Sequence, residues 1–307
     1  MKTQEIDWSR PCWREMLIYQ RKSMWREDTL DLIASWIGLE SGQTVIDVGC
    51  GLGYLGYTFW KYFGENGKYV GFDNNQKLLE AARDMVGDWR RGGEVEFLEG
   101  NAYSLPVADN NADLAMCQTL MMHLERPIDA LAEMKRIVKP GGYVVCFEPD
   151  NLSAVMAVPH WSLPEPDIDD FLLSRKIHYL SNKGRMEMGR GDHGIAVKIP
   201  RMMYHLGLSD IDIRQNDKVH FLQPPFESQL QRDAVDRLRK QFLDDGRYDT
   251  IIDQERETFI AGGGTEEEHA RARAIGKKYR KIMRDQLDRG TYFACAPGTL
   301  YAIRGKK

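Results

Sequence analysis

A chain of 307 residues, 42% hydrophobic and 29% charged, has the balance of a soluble globular protein and is long enough for one large domain or two modest ones. A formal net charge of −4 offers no overall attraction to nucleic acid, no apolar run approaches the ~18–20 residues that cross a bilayer, and the N-terminus MKTQEIDWSRPCW lacks an apolar leader, so the expected compartment is the cytoplasm. Five scattered cysteines (Cys12, Cys50, Cys117, Cys146, Cys295) with no C-x-x-C pair argue against a disulfide framework or structural zinc, and for reduced thiols used as small core residues.

Residues 1–40 read as helices laid over something else. Trp8, Trp13, Met16, Leu17, Tyr19, Met24 and Trp25 interleave with Arg10, Arg14, Arg21 and Arg26, which suits either a lid over a ligand site or a helix packed on a sheet edge. DTLDLIASWIG follows as a helix with Asp28 as N-cap and Gly38 as stop. VIDVG (45–49) is a buried strand that runs into a turn and then a helix through Tyr57–Phe63. KYVGFD (68–73) is a second strand ending on an acid, NQKLLEAARDMVGDW an amphipathic helix, and EVEFLEG (94–100) a third strand with period-two alternation. ADLAMCQTL (112–120) is a fourth, buried strand, and PIDALAEMKRIVK a helix with Pro127 in its first turn. Pro140-Gly141-Gly142 makes a turn into a fifth strand, YVVCFEP (143–149). Strands alternating with helices imply a parallel sheet covered on both faces.

The regularity breaks after residue 150. Residues 151–193, with His160, Trp161 and the acidic run PEPDIDD, read as an insertion of short helices above the sheet. Ile195–Leu206 is a helix stopped by Gly207, and IDIRQNDKVHFL (211–222) a long strand. Residues 226–290 are helical and charged, split near Ala261–Gly264, with Thr265-Glu-Glu-Glu268 as a capping box and Gly290 as the stop. GTLYAIRG (298–305) is a final strand.

Gly49, Gly51 and Gly53 stand at every second position after the first strand, where a ligand approaches the backbone closely. Gly51, Gly53 and Gly56 also satisfy the dinucleotide fingerprint G-x-G-x-x-G, so the loop alone leaves a nicotinamide dehydrogenase open. The order and spacing of the segments resemble the class I S-adenosylmethionine-dependent methyltransferases, in particular their small-molecule, ubiquinone-biosynthesis-like branch. VIDVGCGLG resembles the family's first motif, GFD its ribose-binding acid and EGNAYSLP its adenine loop. DLAMCQTLMMHLERPIDALAEMKRIVKPGGYVVCFEPD resembles its run from the fourth strand through the fifth.

The resemblance covers about residues 40–150, with 195–222 and 291–305 fitting the remaining helix and strands. It implies an α/β fold: a Rossmann-like, seven-stranded, mostly parallel sheet with helices on both faces and helical cap insertions. The expected division is an N-terminal helical lid (1–40), a cofactor-binding core (41–150), a cap insertion (151–193), core continuation (194–222), a helical insertion (223–290) and a final core strand (291–307). The implied cofactor is S-adenosylmethionine, leaving as S-adenosylhomocysteine.

The same resemblance distributes roles. Gly49, Gly51 and Gly53 let the backbone lie against the methionine part, and Asp47 holds its amino group directly or through water. Asp73, with Asn74 beside it, takes both ribose hydroxyls; Asn101 and the amide of Ala102 read the adenine edge, sandwiched by Leu52 and Leu105. Gln118 lies beside the methionine portion, and Tyr19 and Arg21 are candidate partners of the cofactor carboxylate.

Methyl transfer is an in-line displacement on an activated sulfonium, so the protein mainly positions the acceptor; some acceptors also need a base. His123 and Glu148 are the candidate catalytic residues, with a packing role for the first and a salt bridge or helix cap for the second as alternatives. His160, Trp161 and His193 are candidate acceptor-lining residues. Asp192, His193 and Glu148 match no metal-ligand spacing, and no metal is expected.

The basic run GKKYRKIMR (276–284) lies between Glu266–Glu268 and Asp285 and Asp288, which suits a solvated helix face better than a nucleic-acid interface. Gln118-Thr119-Leu120-Met121 does not resemble the Asn-Pro-Pro-Tyr type of motif used on base amines. Trp8, Trp13, Trp25, Met156, Trp161, Met202 and Met203 favour a mid-sized organic acceptor. The expectation is O- or N-methylation of a small molecule, with no membrane or nucleic-acid partner and a homodimer left open. A protein or tRNA methyltransferase and a non-catalytic cofactor-binding protein are the alternatives.

Overall fold

The computed structural model describes residues 17–18, 24–87, 92–154, 163–217, 219–241, 243–244, 253 and 255–307. Strands β1 (Thr44–Val48), β2 (Lys68–Asp73), β3 (Glu94–Glu99), β4 (Ala112–Gln118) and β5 (Val138–Pro149) pair in parallel in the order β3-β2-β1-β4-β5. The sheet is completed by β6 (Ser209–Gln215) and by the last strand of the chain, Leu300–Lys306, which lies antiparallel between β5 and β6. The seven-stranded, mostly parallel α/β sheet is therefore present. Strand order reverses between β1 and β4, and ligands of open α/β sheets sit outside the carboxyl ends of the strands at such a point.

The period-two pattern of the strands puts consecutive residues into different cores. Val45, Tyr69, Leu114, Met116, Val145 and Phe147 join one cluster with α1 (Glu27–Trp36) and α2 (Tyr54–Phe63). Ile46, Val70, Ala115, Cys117, Val144 and Cys146 join the other, with Leu131, Met134 and Ile137 of α3 (Pro127–Ile137) and Ile199 and Met203. Both faces are covered, which is why these strands read as continuous apolar runs. Cys50, Cys117 and Cys146 are buried as small core residues.

Several boundaries differ from the sequence reading. α1 begins at Glu27, with extended Arg26 at its N-cap, so Asp28 lies inside the first turn, where its carboxylate accepts the amide of Thr29 at 3.1 Å and pairs with Arg26 at 3.6 Å. α2 begins at Tyr54, directly after the glycine loop. β5 starts at Val138, before the expected Pro140–Gly142 turn, because the Gly141 amide donates to Lys307 O and the Lys307 amide to Gly142 O. The expected strand 211–222 is two strands in two sheets. Asn216 is buried, donating its amide to Leu300 O and its side chain to Met24 O, and beyond it β7 (Val219–Leu222) pairs with β8 (Ala294–Pro297).

The insertion after β5 is dominated by one long helix, α4 (Ile168–Glu187), whose N-cap Asp167 accepts the amide of Asp169 at 2.9 Å. It packs on helical residues 255–261 at backbone contact: a Cβ on Gly184 would stand 1.8 Å from Thr258 O, and one on Gly262 2.0 Å from Leu180 O. The last helix, α5 (Glu266–Asp288), opens with the expected capping box, Thr265 and Glu268 exchanging two bonds of 3.2 Å. Within the basic run, Lys277, Lys278 and Lys281 are exposed and Arg280 is buried. Among the described residues no helix is long and apolar enough to cross a membrane.

Candidate active site

The turn after β1 is strapped onto the end of β2. The amides of Gly49 and Cys50 both donate to Phe72 O, at 2.7 and 2.9 Å, and the amide of Gly51 donates to Asp73 Oδ2 at 2.8 Å. Asp73 Oδ1 takes the Asn75 amide at 2.9 Å. Burial pushes the Asp73 carboxyl up, against the downward pull of these amides. A carboxylate offers about four acceptor positions, so capacity remains for two hydroxyl donors. Gly51 has φ +54°, and a Cβ built there meets nothing within 4 Å: the loop faces open space at that residue. Gly49 and Gly53 are different, since a Cβ would strike Leu120 at 2.8 Å and the Phe97 ring at 2.7 Å.

Asp47 is buried in the middle strand, and its Oδ2 accepts the hydroxyl of fully buried Tyr69 at 2.7 Å. Sequence reasoning missed that partner, since Tyr69 looked like one more apolar strand residue. Asn74 is exposed, whereas Asn75 caps the following helix, Gln76–Met85, by accepting from Lys77 and Leu78. Asn101 is exposed, and its Oδ1 accepts the Tyr103 amide at 3.0 Å, closing the loop that carries Ala102. Leu52 packs with Leu78, Ala81, Leu17 and Ile18, while Leu105 packs in the cluster of Val70 and Phe72.

At the other side of the reversal point, β4 ends on buried Gln118, whose side-chain amide meets the thioether of Met24. Thr119 follows at φ +51°, an uncommon conformation for a β-branched residue, of the kind that concentrates at functional sites. The chain then makes a 3₁₀ turn, Met121–His123. Glu148 is fully buried at the end of β5, and its Oε1 accepts the amides of Leu120 and Met121 at 2.7 and 2.8 Å. Of the two roles expected for Glu148, these bonds fit the cap: Oε1 holds the turn that carries His123.

The loop 189–193 is laid against that turn. A Cβ on Gly191 would stand 2.2 Å from Met122 O, and the Asp192 amide donates to Met122 O at 3.0 Å. His193 reaches the His123 ring edge-on, with 6.2 Å between centroids, and its Nε2 accepts from Arg185 Nε at 3.1 Å. Burial and the Arg185 charge hold His123 down to about 4 and His193 down to about 3, so both are neutral near pH 7. Asp192 is engaged elsewhere, by Lys198, Asn182 and the Gly194 amide. Asp192, His193 and Glu148 thus serve three different bonding tasks, and among the described residues no group of three or more His, Cys, Asp or Glu is arranged to hold a metal.

The structure brings together the glycine loop, Asp73, Gln118, His123 and His193 around the carboxyl edge of the sheet. Tyr19, Arg21, His160 and Trp161 lie outside the described residues, as do Trp8, Trp13 and Met156. Arg185, Glu255 and Thr119 were missed. The first two lie far along the chain from the motifs, and no local pattern marks the third.

Residues 39–180 match a family model described as a methyltransferase domain. Over 115 residues the chain is 38% identical to an uncharacterized methyltransferase of Schizosaccharomyces pombe, covering 36% of this chain and 41% of that protein. Over 133 residues it is 32% identical to the demethylmenaquinone methyltransferase of Oceanobacillus iheyensis, covering 43% of this chain and 54% of that one. The chain thus spans about half or less of the length of these relatives. A crystal structure of a candidate methyltransferase from Bacillus halodurans C-125 shares the fold, with TM-score 0.50 at 15% identity over 91% of this chain and 99% of that one.

Proposed function

Residues 39–180 belong to the class I S-adenosylmethionine-dependent methyltransferases, and from that premise we propose that the protein transfers a methyl group to an O or N atom of a small organic acceptor. The observation that carries the reading is the open space over Gly51, next to a carboxylate whose two oxygens are already aimed by the Gly51 and Asn75 amides. Such a cradle fits a ribose and the methionine chain that follows it. When bound, S-adenosylmethionine supplies an electrophilic methyl group on a sulfonium.

The residues of the chain then have positional tasks. Asp73 orients the ribose, Gly51 admits the cofactor backbone, and Gln118 and Thr119 close the far wall. Because the bound cofactor would supply an already activated methyl group, these residues need only hold an acceptor atom in line with it. His123 is a weak base with its basicity held down to about 4, and Oε1 of Glu148 takes two amides. An acceptor atom that already carries a free lone pair near neutral pH suits this site best.

Support for a small acceptor comes from the cover. Leu17 and Ile18 pack beside Leu52, Met24 and Trp25 pack on the core near Gln118, and α4 with residues 189–193 closes the other side. The test is calorimetric titration of the full chain and of Asp73→Ala with S-adenosylmethionine and S-adenosylhomocysteine, with NADH as control. Micromolar binding of the first two, weakened by the substitution, is expected; a preference for NADH would overturn the reading.

A further inference from the structure

Arg185 lies on α4, in the cap, and reaches the turn after β4. Its Nε donates to His193 Nε2, and through His193 it adjoins His123 on the turn after β4. Among the described residues no carboxylate lies within ion-pair distance of Arg185. The like charge that bears on it is Arg190, itself paired with Glu257 at 2.8 Å. The acid whose charge bears on it is Glu255, half-buried, with its carboxyl pushed up by burial. Glu255 supplies charge without a contact ion pair, so the guanidinium gains further when a ligand brings an anionic oxygen within hydrogen-bond distance.

We propose that the methyl acceptor carries an anionic oxygen group, a carboxylate or a phosphate ester, which Arg185 receives between α4 and the His123 turn. The proposal rests on the methyltransferase reading above. A guanidinium offers paired N–H donors that match either anion, and His193 fixes the direction of the fork by taking its Nε–H. With His123 and His193 neutral and Arg190 paired to Glu257, the positive charge that an acceptor meets beside His193 is that of Arg185.

The experiment uses the full chain saturated with S-adenosylhomocysteine and titrated with benzoate, phenyl phosphate and benzamide as probes. At least one anion is expected to bind about tenfold more tightly than benzamide. Which anion does so tells the carboxylate from the phosphate. Arg185→Gln is expected to erase the preference while leaving S-adenosylhomocysteine affinity unchanged, and Arg185→Lys to retain part of it. Raising the salt concentration on the wild type, which needs no variant to fold, should weaken the anion and leave benzamide unaltered. Equal or absent binding of all three probes, or a preference that survives Arg185→Gln, overturns the proposal. Failure of the wild type to bind S-adenosylhomocysteine overturns the cofactor reading and the proposal with it.

Discussion

Alanine at two glycines separates ligand space from packing space. Gly51 has φ +54° with nothing within 4 Å of a Cβ, so Gly51→Ala meets only the left-handed backbone penalty of about 1–2 kcal/mol. The Gly51 amide keeps its bond to Asp73, and the fold should survive. The added methyl stands in the space assigned to the cofactor, and S-adenosylhomocysteine affinity should fall about a hundredfold, roughly 2.8 kcal/mol. Gly56 gives the opposite pattern. It lies inside α2, where alanine is intrinsically better by about 1 kcal/mol, yet its Cβ would stand 2.3–2.8 Å from the Tyr69 ring. That ring is fully buried and its hydroxyl is bonded to Asp47, so it has nowhere to go. Overpacking of about 1–3 kcal/mol and loss of a charge-assisted bond of about 1.5–3 kcal/mol outweigh the helix gain, for a net loss of about 1.5–5 kcal/mol. Urea denaturation followed by tryptophan fluorescence reads the stabilities, and calorimetry reads the affinity. A Gly51→Ala protein that binds S-adenosylhomocysteine like wild type would refute the ligand assignment, and a Gly56→Ala protein as stable as wild type would refute the packing argument.

Glu148→Gln should lower stability by about 1.5–3 kcal/mol, because a neutral amide replaces the carboxylate that accepts from Leu120 and Met121; an unchanged urea midpoint would exclude the capping role. His123 and His193 should stay neutral in proton NMR titrations to well below pH 6.5, with midpoints at about 4 and about 3, and Arg185→Gln should move both upward. Since these folded-state values lie below the ordinary 6.5, the unfolded chain takes up protons first as pH falls. Stability is therefore complete above pH 6.5 and is lost progressively on the way down to about 4, by at most about 3 kcal/mol for half-buried His123. Normal titration near 6.5 would contradict the burial of the two rings, and values unmoved by Arg185→Gln would contradict the placement of Arg185. Gly184→Ala should loosen α4 from residues 255–262, because the Cβ meets a backbone carbonyl at 1.8 Å that cannot rotate away. Faster limited proteolysis in the cap, with S-adenosylhomocysteine affinity retained, is the expected pair of results.

The parts of the fold that were legible in the sequence are those where neighbours in the chain are neighbours in the site. The alternation from Val45 to Pro149 showed because each strand is buried on two faces and each helix on one, and Asp73 announced itself as the acid closing β2. α4 was read as several short helices because its apolar residues do not form one inward stripe: Ile168, Leu172, Tyr179 and Met186 are all exposed while Leu173 and Gly184 are buried. The strand at 211–222 looked continuous because period-two alternation does not register that Asn216 turns aside to Met24. Glu148 resembled an active-site acid because its two amide donors lie 27 and 28 residues earlier in the chain.

The same contrast divides the site by mechanism. The proposed cofactor half is built from consecutive residues, Gly49–Gly53 and Asp73–Asn75, whose amides bond Phe72 O and the Asp73 carboxylate and so tolerate little change of register. The acceptor half is built from side chains on separate excursions: Arg185 on α4, His193 on the loop after it, and Glu255 some sixty residues further on, meeting over a turn that Glu148 holds in place. A substitution at Arg185 therefore acts on one wall without disturbing the amides that aim Asp73. This is why acceptor charge preference and cofactor affinity should separate cleanly in the Arg185 variants. Gly51→Ala, on the other wall, should weaken cofactor binding about a hundredfold and leave the histidine titrations where they were.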